Sequence, residues 1–330
     1  MPSSFADPPD LSQSLRELLA QIPAGRVATY GGLAAALGNR VAARWVGDYT
    51  LHHPHDEHCR CHRVVRSDGD IGLYIAGDAS AKGARLSSEG VPVRKRKIDL
   101  ERFGFDGFTS DRPLDRLRRL QEQTMRLVSL EGIEAAPEFV GGVDVSYPAK
   151  DEGVAAYALV SVENGELVWS ATVRRPVRFP YISTYLTFRE LPILLDLLDV
   201  VRRAGKLFEP LLVDGSGILH PRRVGVASHF GVAGSVATVG VTKKLLCGEV
   251  DIAAMLPMES RPVFDGTRRI GTAIRSTKGS LRPIFVSPGH RIGLALAETV
   301  VRRVLFGRRL PEPLYWADRL SRAAGRSPRG

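Results

Sequence analysis

EFVGGVDVSY, residues 138–147, is an apolar run of strand character with one carboxylate, Asp144, set inside it. Next come AAYALVSV (155–162) and ELVWSATV (166–173), two strand segments separated by turn residues that read as a hairpin. A long helix is predicted from near Phe188 to about Arg203, and further strands at PLLVDGSG (210–217), SVATVGV (235–241) and RPIFVSPG (282–289) alternate with helical stretches, the last being IGLALAETVVRRVLFG (292–307). Strands alternating with helices after a hairpin define an α/β fold with a mixed sheet.

Three acids interrupt or end apolar runs in this part of the chain: Asp144, Glu190 in TFRELP, and Asp214 in LLVDGSG. Carboxylates on one side of a sheet repel each other and resist desolvation unless a divalent cation gathers them, and Mg²⁺ takes such hard oxygen ligands. Each acid also has a plain structural reading. Thr187-x-x-Glu190 has the form of a helix capping box, and Asp214-Gly215 that of a turn.

Upstream, LRELLAQI (15–22) is an amphipathic helix, RVATY (26–30) a short strand, GGLAAALG (31–38) a helix and VAARWVGDYTL (41–51) a second helix after the turn at Gly38-Asn39. That order predicts a winged helix-turn-helix. The texture changes at the basic run Arg94-Lys95-Arg96-Lys97 and the following FGFDGFTSDRP. The expected organisation is therefore a small domain over 1–93, a basic linker over 94–115, a larger domain over 116–320 and a disordered tail over 321–330.

With 44% hydrophobic and 25% charged residues, the chain of 330 has enough apolar material for a substantial core. A net charge of +10 favours a polyanionic partner, because Lys and Arg that neutralise phosphates release counterions. The N-terminus MPSSFADPPDLSQ lacks the pattern of a signal peptide, and the apolar run LPILLDLLDVV is broken by aspartates, so a cytoplasmic protein with no membrane partner is expected. Three cysteines, two of them in Cys59-Arg60-Cys61, do not make a disulfide framework. No obligate protein partner is evident.

The blocks GGVDVSY, PYISTYLTFRELP, VDGSGILHPRRVGVASHFGV, TVGVTKKLLCG and FVSPGHRIG occur in this order and resemble the motifs of endonuclease V. The resemblance implies a ribonuclease-H-like fold and a metal-dependent endonuclease that nicks at the second phosphodiester 3′ to deoxyinosine and other deaminated bases. It implies Mg²⁺, with Mn²⁺ as a substitute, on Asp144, Glu190 and Asp214, with His290 as a further active-site residue and Lys243 near the phosphate or attacking water. Pro180, Tyr181 and Ile182 resemble the family's wedge, which enters the duplex where the lesion base leaves the stack; Ser183 stands where proline is usual. Gly215 and Gly217 are expected to let the backbone approach that base, and His220 and Arg222 to contact phosphates.

IPAGRVATYGGLAAALGNRVAARWVG (22–47), CHRVVRSDGDIGLY (61–74) and SSEGV (87–91) resemble the DNA-binding domain of O6-alkylguanine-DNA alkyltransferases and their alkyltransferase-like relatives. The match implies Tyr30 as the residue that helps rotate a nucleotide outward, Arg44 as filler of the vacated stack, Tyr74 in the pocket and Cys61 as alkyl acceptor, served by a relay through His62 and Glu89. Two positions depart from the family: Arg60 replaces the proline before the cysteine, and His53 replaces the asparagine that braces the active-site turn. The same loop carries His52, His53, His55, His58 and His62 beside Cys59 and Cys61, in a spacing that fits no standard zinc motif, so Zn²⁺ and a polar exposed loop both stay open.

The leading expectation is a bifunctional repair protein acting on damaged DNA. Its rivals are a nuclease with a non-catalytic N-terminal DNA-binding module, an inosine-specific ribonuclease acting on RNA, and a DNA-binding scaffold whose acids only stabilise the fold.

Overall fold

The computed structural model describes residues 8–56 and 58–326 and separates into two compact units. The first comprises residues 9–119 together with 179–185. Helix α1 (Leu11–Gln21) starts where the Asp10 carboxylate accepts the Gln13 amide at 3.0 Å, and it buries Leu11, Leu15, Leu18 and Leu19, the stripe its heptad spacing predicts. Strand β1 (Ala28–Thr29) leads directly into α2 (Tyr30–Ala36), whose first turn is capped by the Thr29 hydroxyl. Helix α3 (Ala43–His52) follows, then β2 (Val64–Val65), which pairs in parallel with β1, and then α4 (Ala79–Ser88). The helix-turn-helix is thus α2 and α3.

Residues 94–115 are not a linker. The Val27 amide donates to the Phe103 carbonyl at 2.9 Å, the Phe105 amide to the Val27 carbonyl at 2.8 Å, and the Leu114 amide to the Leu37 carbonyl at 2.9 Å. Ile98 lies in the same buried cluster as Val27, Val65, Ile71, Leu86 and Val91. The basic run is followed by the apolar residues of IDLERF. These include Leu100 and Phe103 of the short helix α5 (Leu100–Phe103) and dock on the small domain. Helix α6 (Pro113–Met125) ends this region.

The second unit is built on one sheet of eight strands among the described residues. They are β3 (Phe139–Ala149), β4 (Glu152–Ser161), β5 (Leu167–Pro176), β6 (Leu211–Asp214), β7 (Thr238–Thr242), β8 (Ser260–Asp265), β9 (Arg268–Ile274) and β10 (Ile284–His290), in the spatial order β5-β4-β3-β6-β7-β10-β9-β8. The pairs β3-β6 and β6-β7 are parallel, whereas β3-β4, β4-β5, β7-β10, β9-β10 and β8-β9 are antiparallel, so the sheet is mixed as expected. The β8-β9 hairpin was not anticipated. Its β8 alternates too weakly, with Arg261 and Pro262 in its middle, to stand out as a strand.

Helices α7 (Thr187–Arg203) and α8 (Val226–Gly234) bury Leu191, Leu194, Leu197, Val226 and Phe230 with Val143, Leu211 and Val213 of the sheet. Helices α9 (Leu294–Arg303) and α10 (Glu312–Arg326) contribute Val300, Val301 and Leu314 to a second cluster with Val140, Leu212, Val239 and Val286. The 321–330 tail is a second correction: residues 321–326 continue α10, with Ser321 fully buried, and 327–330 lie outside the described residues. At Gly142 an added Cβ would stand 2.6 Å from Pro313, so glycine there is what lets α10 lie against β3.

Candidate active site

Strand register brings the first two acids together. Val143 of β3 pairs with Val213 of β6, so the residues that follow, Asp144 and Asp214, stand at the same level on adjacent parallel strands and face the same way. Glu190 comes from the first turn of α7. All three line one open cleft of about 520 Å³ with Tyr147, Lys243, Asp318 and Arg322. Neither plain reading describes these acids. Thr187 is the first residue of α7, with no side-chain cap on the preceding Leu186, so no capping box forms. Gly215 bridges to Val241, so β-pairing continues past Asp214.

The electrostatics are those of a crowded anionic site. Burial, aided by the charges of Asp214 and Asp318 and opposed by Lys243, pushes the Asp144 carboxyl up to about 7. Glu190 is only 7% exposed, and burial together with Asp144 and Asp214 holds its carboxyl well above the usual carboxylate range. The Tyr147 hydroxyl donates to Glu190 Oε1 at 3.3 Å, and the Arg189 guanidinium lies 4.1 Å from the Tyr147 ring centre. Lys243, directly after β7, sets its Nζ 2.9 Å from Asp214 Oδ2. Burial and neighbouring charge disfavour the ionised forms of Asp144 and Glu190, and these two with Asp214 and one lysine make a hard-oxygen donor set suited to a hard divalent cation.

Several expected residues lie elsewhere or serve otherwise. His290 is not in the cleft: it pairs with Thr238 at the start of β7, whereas Asp214 pairs with Val241 near its end, a separation of about 10 Å along the strand, and His290 Nδ1 accepts the Ser129 amide at 3.2 Å. His220 is 3% exposed and its Nδ1 accepts the Arg222 amide, while the Arg222 guanidinium donates to Gln121 Oε1 at 2.8 Å. Burial holds His220, and the Gln121 bond holds Arg222. Gly217 answers to packing, since a Cβ there would fall 1.9 Å from the Pro288 carbonyl oxygen, and one on Gly215 would meet Val226 at 2.9 Å. Tyr181 is 66% exposed between a half-buried Pro180 and a fully buried Ile182. Asp318 and Arg322 were missed. They sit one turn apart on α10, joined at 2.9 Å, and only the return of that helix over the sheet brings them to the cleft.

In the first unit Cys61 opens a tight turn before β2 and is 2% exposed. His62 Nε2 and Glu89 Oε1 are 2.8 Å apart, and Arg63 grips the same carboxylate with two bonds at 2.8 and 2.7 Å. Burial raises the Glu89 pKa, but the Arg63 and His62 bonds outweigh it and hold the carboxyl down at about 2. The imidazole–carboxylate arm of the expected relay is therefore present. The Cys61 sulfur, however, faces His53 and Cys59 and makes no direct bond to His62. Arg44 projects exposed from α3, Tyr30 is half-buried, and Tyr74 is buried with its hydroxyl accepting from Arg85 at 3.1 Å.

A sheet-borne carboxylate cleft preceded by a helix-turn-helix unit defines a phosphodiesterase fused to a DNA-binding domain. The chain belongs to the endonuclease V family, whose profile matches residues 122–319, and residues 10–91 match the 6-O-methylguanine DNA methyltransferase DNA-binding domain. It is 36% identical over 297 residues, 89% of this chain and 90% of the other, to a bifunctional methyltransferase/endonuclease of Picrophilus torridus. The catalytic domain of human endonuclease V superposes with a TM-score of 0.61 at 33% identity, covering 66% of this chain and 97% of that one. Endonuclease V of Ciona intestinalis, solved with a 23mer DNA containing an inosine followed by a ribo-adenosine, gives 0.59 at 25% identity over 66% of this chain and 98% of that one. The enzyme is an endonuclease V-type nuclease, and that family is metal-dependent. No described helix is long and apolar enough to cross a membrane.

Proposed function

We propose that the enzyme nicks DNA at the second phosphodiester 3′ to deoxyinosine, using Mg²⁺ held by Asp144, Asp214 and Glu190, and that Cys61 of the N-terminal domain accepts alkyl groups from O6-alkylguanine. The observation that carries the nuclease reading is the convergence of these three carboxylates in one open cleft. When bound, the cation supplies charge neutralisation at the phosphate and lowers the pKa of a coordinated water. Asp144 and Asp214 hold it from adjacent strands, and Glu190 approaches from α7. Tyr147, donating to Glu190, fixes the direction of that carboxylate. Lys243 orients Asp214 and adds positive charge on the side where a scissile phosphate enters. Tyr181, exposed on its loop, stacks in the space left by the extruded base, as a rigid aromatic face suits. Asp214 and Lys243 act on the phosphate, whereas Tyr181 reads the lesion.

The protein works in the cytoplasm, where its three cysteines, none in a disulfide, stay reduced. The test is an end-labelled inosine duplex incubated with and without Mg²⁺, beside an undamaged duplex and one carrying a ribonucleotide after the inosine. Mg²⁺-dependent cutting of inosine strands alone is expected. Cutting confined to the ribonucleotide strand would move the substrate to RNA, and equal cutting of damaged and undamaged duplex would remove lesion recognition.

A further inference from the structure

Of the polar clusters outside the nuclease cleft, one has the form of a closed metal site. We infer that His53, His55, Cys59 and Cys61 bind a single Zn²⁺ ion in the acceptor loop of the N-terminal domain. The ligand atoms of these four side chains all lie within 4.8 Å of one another. His55 Nδ1 is 3.1 Å from Cys59 Sγ, His53 Nε2 is 3.3 Å from Cys59 Sγ, and His53 Nε2 is 3.6 Å from Cys61 Sγ. A tetrahedral Zn²⁺ with Zn–N about 2.0–2.1 Å and Zn–S about 2.3 Å requires ligand-to-ligand edges of roughly 3.3–3.8 Å. These three spacings fall on or just inside those edges, and the other pairs lie within 4.8 Å.

The orientation of His53 supplies a second, independent argument. Its Nδ1 lies 2.8 Å from the Tyr49 carbonyl, which can only accept, so Nδ1 carries the proton and Nε2 presents its lone pair to the two sulfurs. A ligating imidazole whose other nitrogen donates to a backbone carbonyl is the usual outer-shell arrangement of a zinc site. Stacking on Tyr49, with ring centres 4.7 Å apart and planes within 5°, holds the ring in that direction. Two soft thiolates and two imidazoles in a tetrahedron select Zn²⁺ over Mg²⁺ or Ca²⁺. Four protein ligands leave no open position, so the site is structural rather than hydrolytic.

The site also accounts for a departure from the alkyltransferase pattern. His53 stands where that family has its bracing asparagine, and here it tethers the loop through its Tyr49 contact and, with the metal bound, through Zn²⁺. Cys61, the acceptor position, becomes the fourth ligand, so its sulfur is a zinc thiolate. The cleft lining includes none of these four residues, so this inference does not depend on the nuclease reading.

The full-length chain, reduced and stripped of metal, is titrated with Co²⁺ as a spectroscopic substitute and then with Zn²⁺. We expect one equivalent to produce thiolate-to-cobalt charge transfer with tetrahedral d–d bands, both displaced by one equivalent of Zn²⁺. Cobalt on the carboxylates of the nuclease cleft gives no thiolate charge transfer, which separates the two sites. Cys59→Ser and Cys61→Ser should each remove about half of the charge-transfer intensity, as loss of one of two sulfur ligands requires. His55→Ala should keep that intensity while weakening binding at least tenfold, and His52→Ala, at the end of α3, should leave the titration unchanged. Circular dichroism of the stripped variants, matching stripped wild type, shows that they fold. An absent charge-transfer band in wild type, or an unaltered one in the Cys59→Ser/Cys61→Ser double variant, overturns the assignment.

Discussion

Lys243 Nζ stands 2.9 Å from Asp214 Oδ2, the carboxylate that closes β6, and so joins two adjacent parallel strands at their C-terminal ends. Burial lowers the lysine's pKa, but Asp214 and Asp144 outweigh it and keep the ammonium charged. Lys243→Met removes the charge while keeping the stem. A hydrogen bond to a charged group is worth about 1.5–3 kcal/mol, so nicking should fall roughly 10- to 100-fold. Single-turnover rates at saturating duplex measure this; an unchanged rate means that the lysine only fills space.

Asp144→Ala and Asp214→Ala should abolish Mg²⁺-dependent nicking, with a loss of at least about 10³ for several kcal/mol of charge stabilisation. Binding to an inosine duplex should persist, because base and backbone contacts do not run through these acids. Gel-shift and cleavage assays on the same preparation separate the two, and wild-type cutting in either variant rejects the metal assignment.

Tyr181→Ala is expected to reduce discrimination between inosine and undamaged duplex by about 5- to 150-fold, since base–aromatic stacking contributes roughly 1–3 kcal/mol. Non-specific affinity, which rests on phosphate contacts, should barely change. Equal losses on both duplexes would reduce Tyr181 to a surface aromatic.

Incubation of the reduced, metal-stripped protein with an O6-methylguanine oligonucleotide should leave a single methyl group on Cys61, whose sulfur Zn²⁺ would otherwise hold, located by peptide mass spectrometry, and Cys61→Ser should abolish it. Methylation of Cys59, the more exposed of the two thiols, would shift the acceptor by two residues.

His229 is fully buried in α8, its ring edge-on to Phe188, and burial lowers its pKa to about 4. The folded state thus favours the neutral ring, whereas the unfolded chain takes up a proton near pH 6.5. The unfolded state binds more protons between those values, so stability is complete above about pH 6.5 and declines as pH falls to 4, by roughly 3 kcal/mol from this group. His229→Gln should flatten that part of the profile. Thermal melts of both proteins at pH 7.5, 5.5 and 4.5 check it, and parallel profiles would show that other groups govern the acid limb.

By itself the amino-acid order determined six of the eight described strands of the sheet, all but β8 and β9, and the acids of β3 and β6. The direction of a side chain along a strand is a local property with period two, which makes Asp144 and Asp214 legible, and the ordered motif blocks add Glu190 of α7 to them. The small domain was legible for the same reason, through its helix periodicity and turn residues. Tertiary structure alone decided what depends on contacts distant in the chain. It showed that β10 pairs with β7 in a register that carries His290 away from the cleft, and that α10 lies over Gly142 and delivers Asp318 and Arg322. It also packed residues 94–115 against Val27 and Leu37. The His53, His55, Cys59 and Cys61 cluster belongs here too: its spacing matches no linear motif, and besides the local stack of His53 on Tyr49 the loop is packed by Tyr74, which meets the His55 ring edge-on. Loop closure is set by long-range packing, which no short window of sequence records.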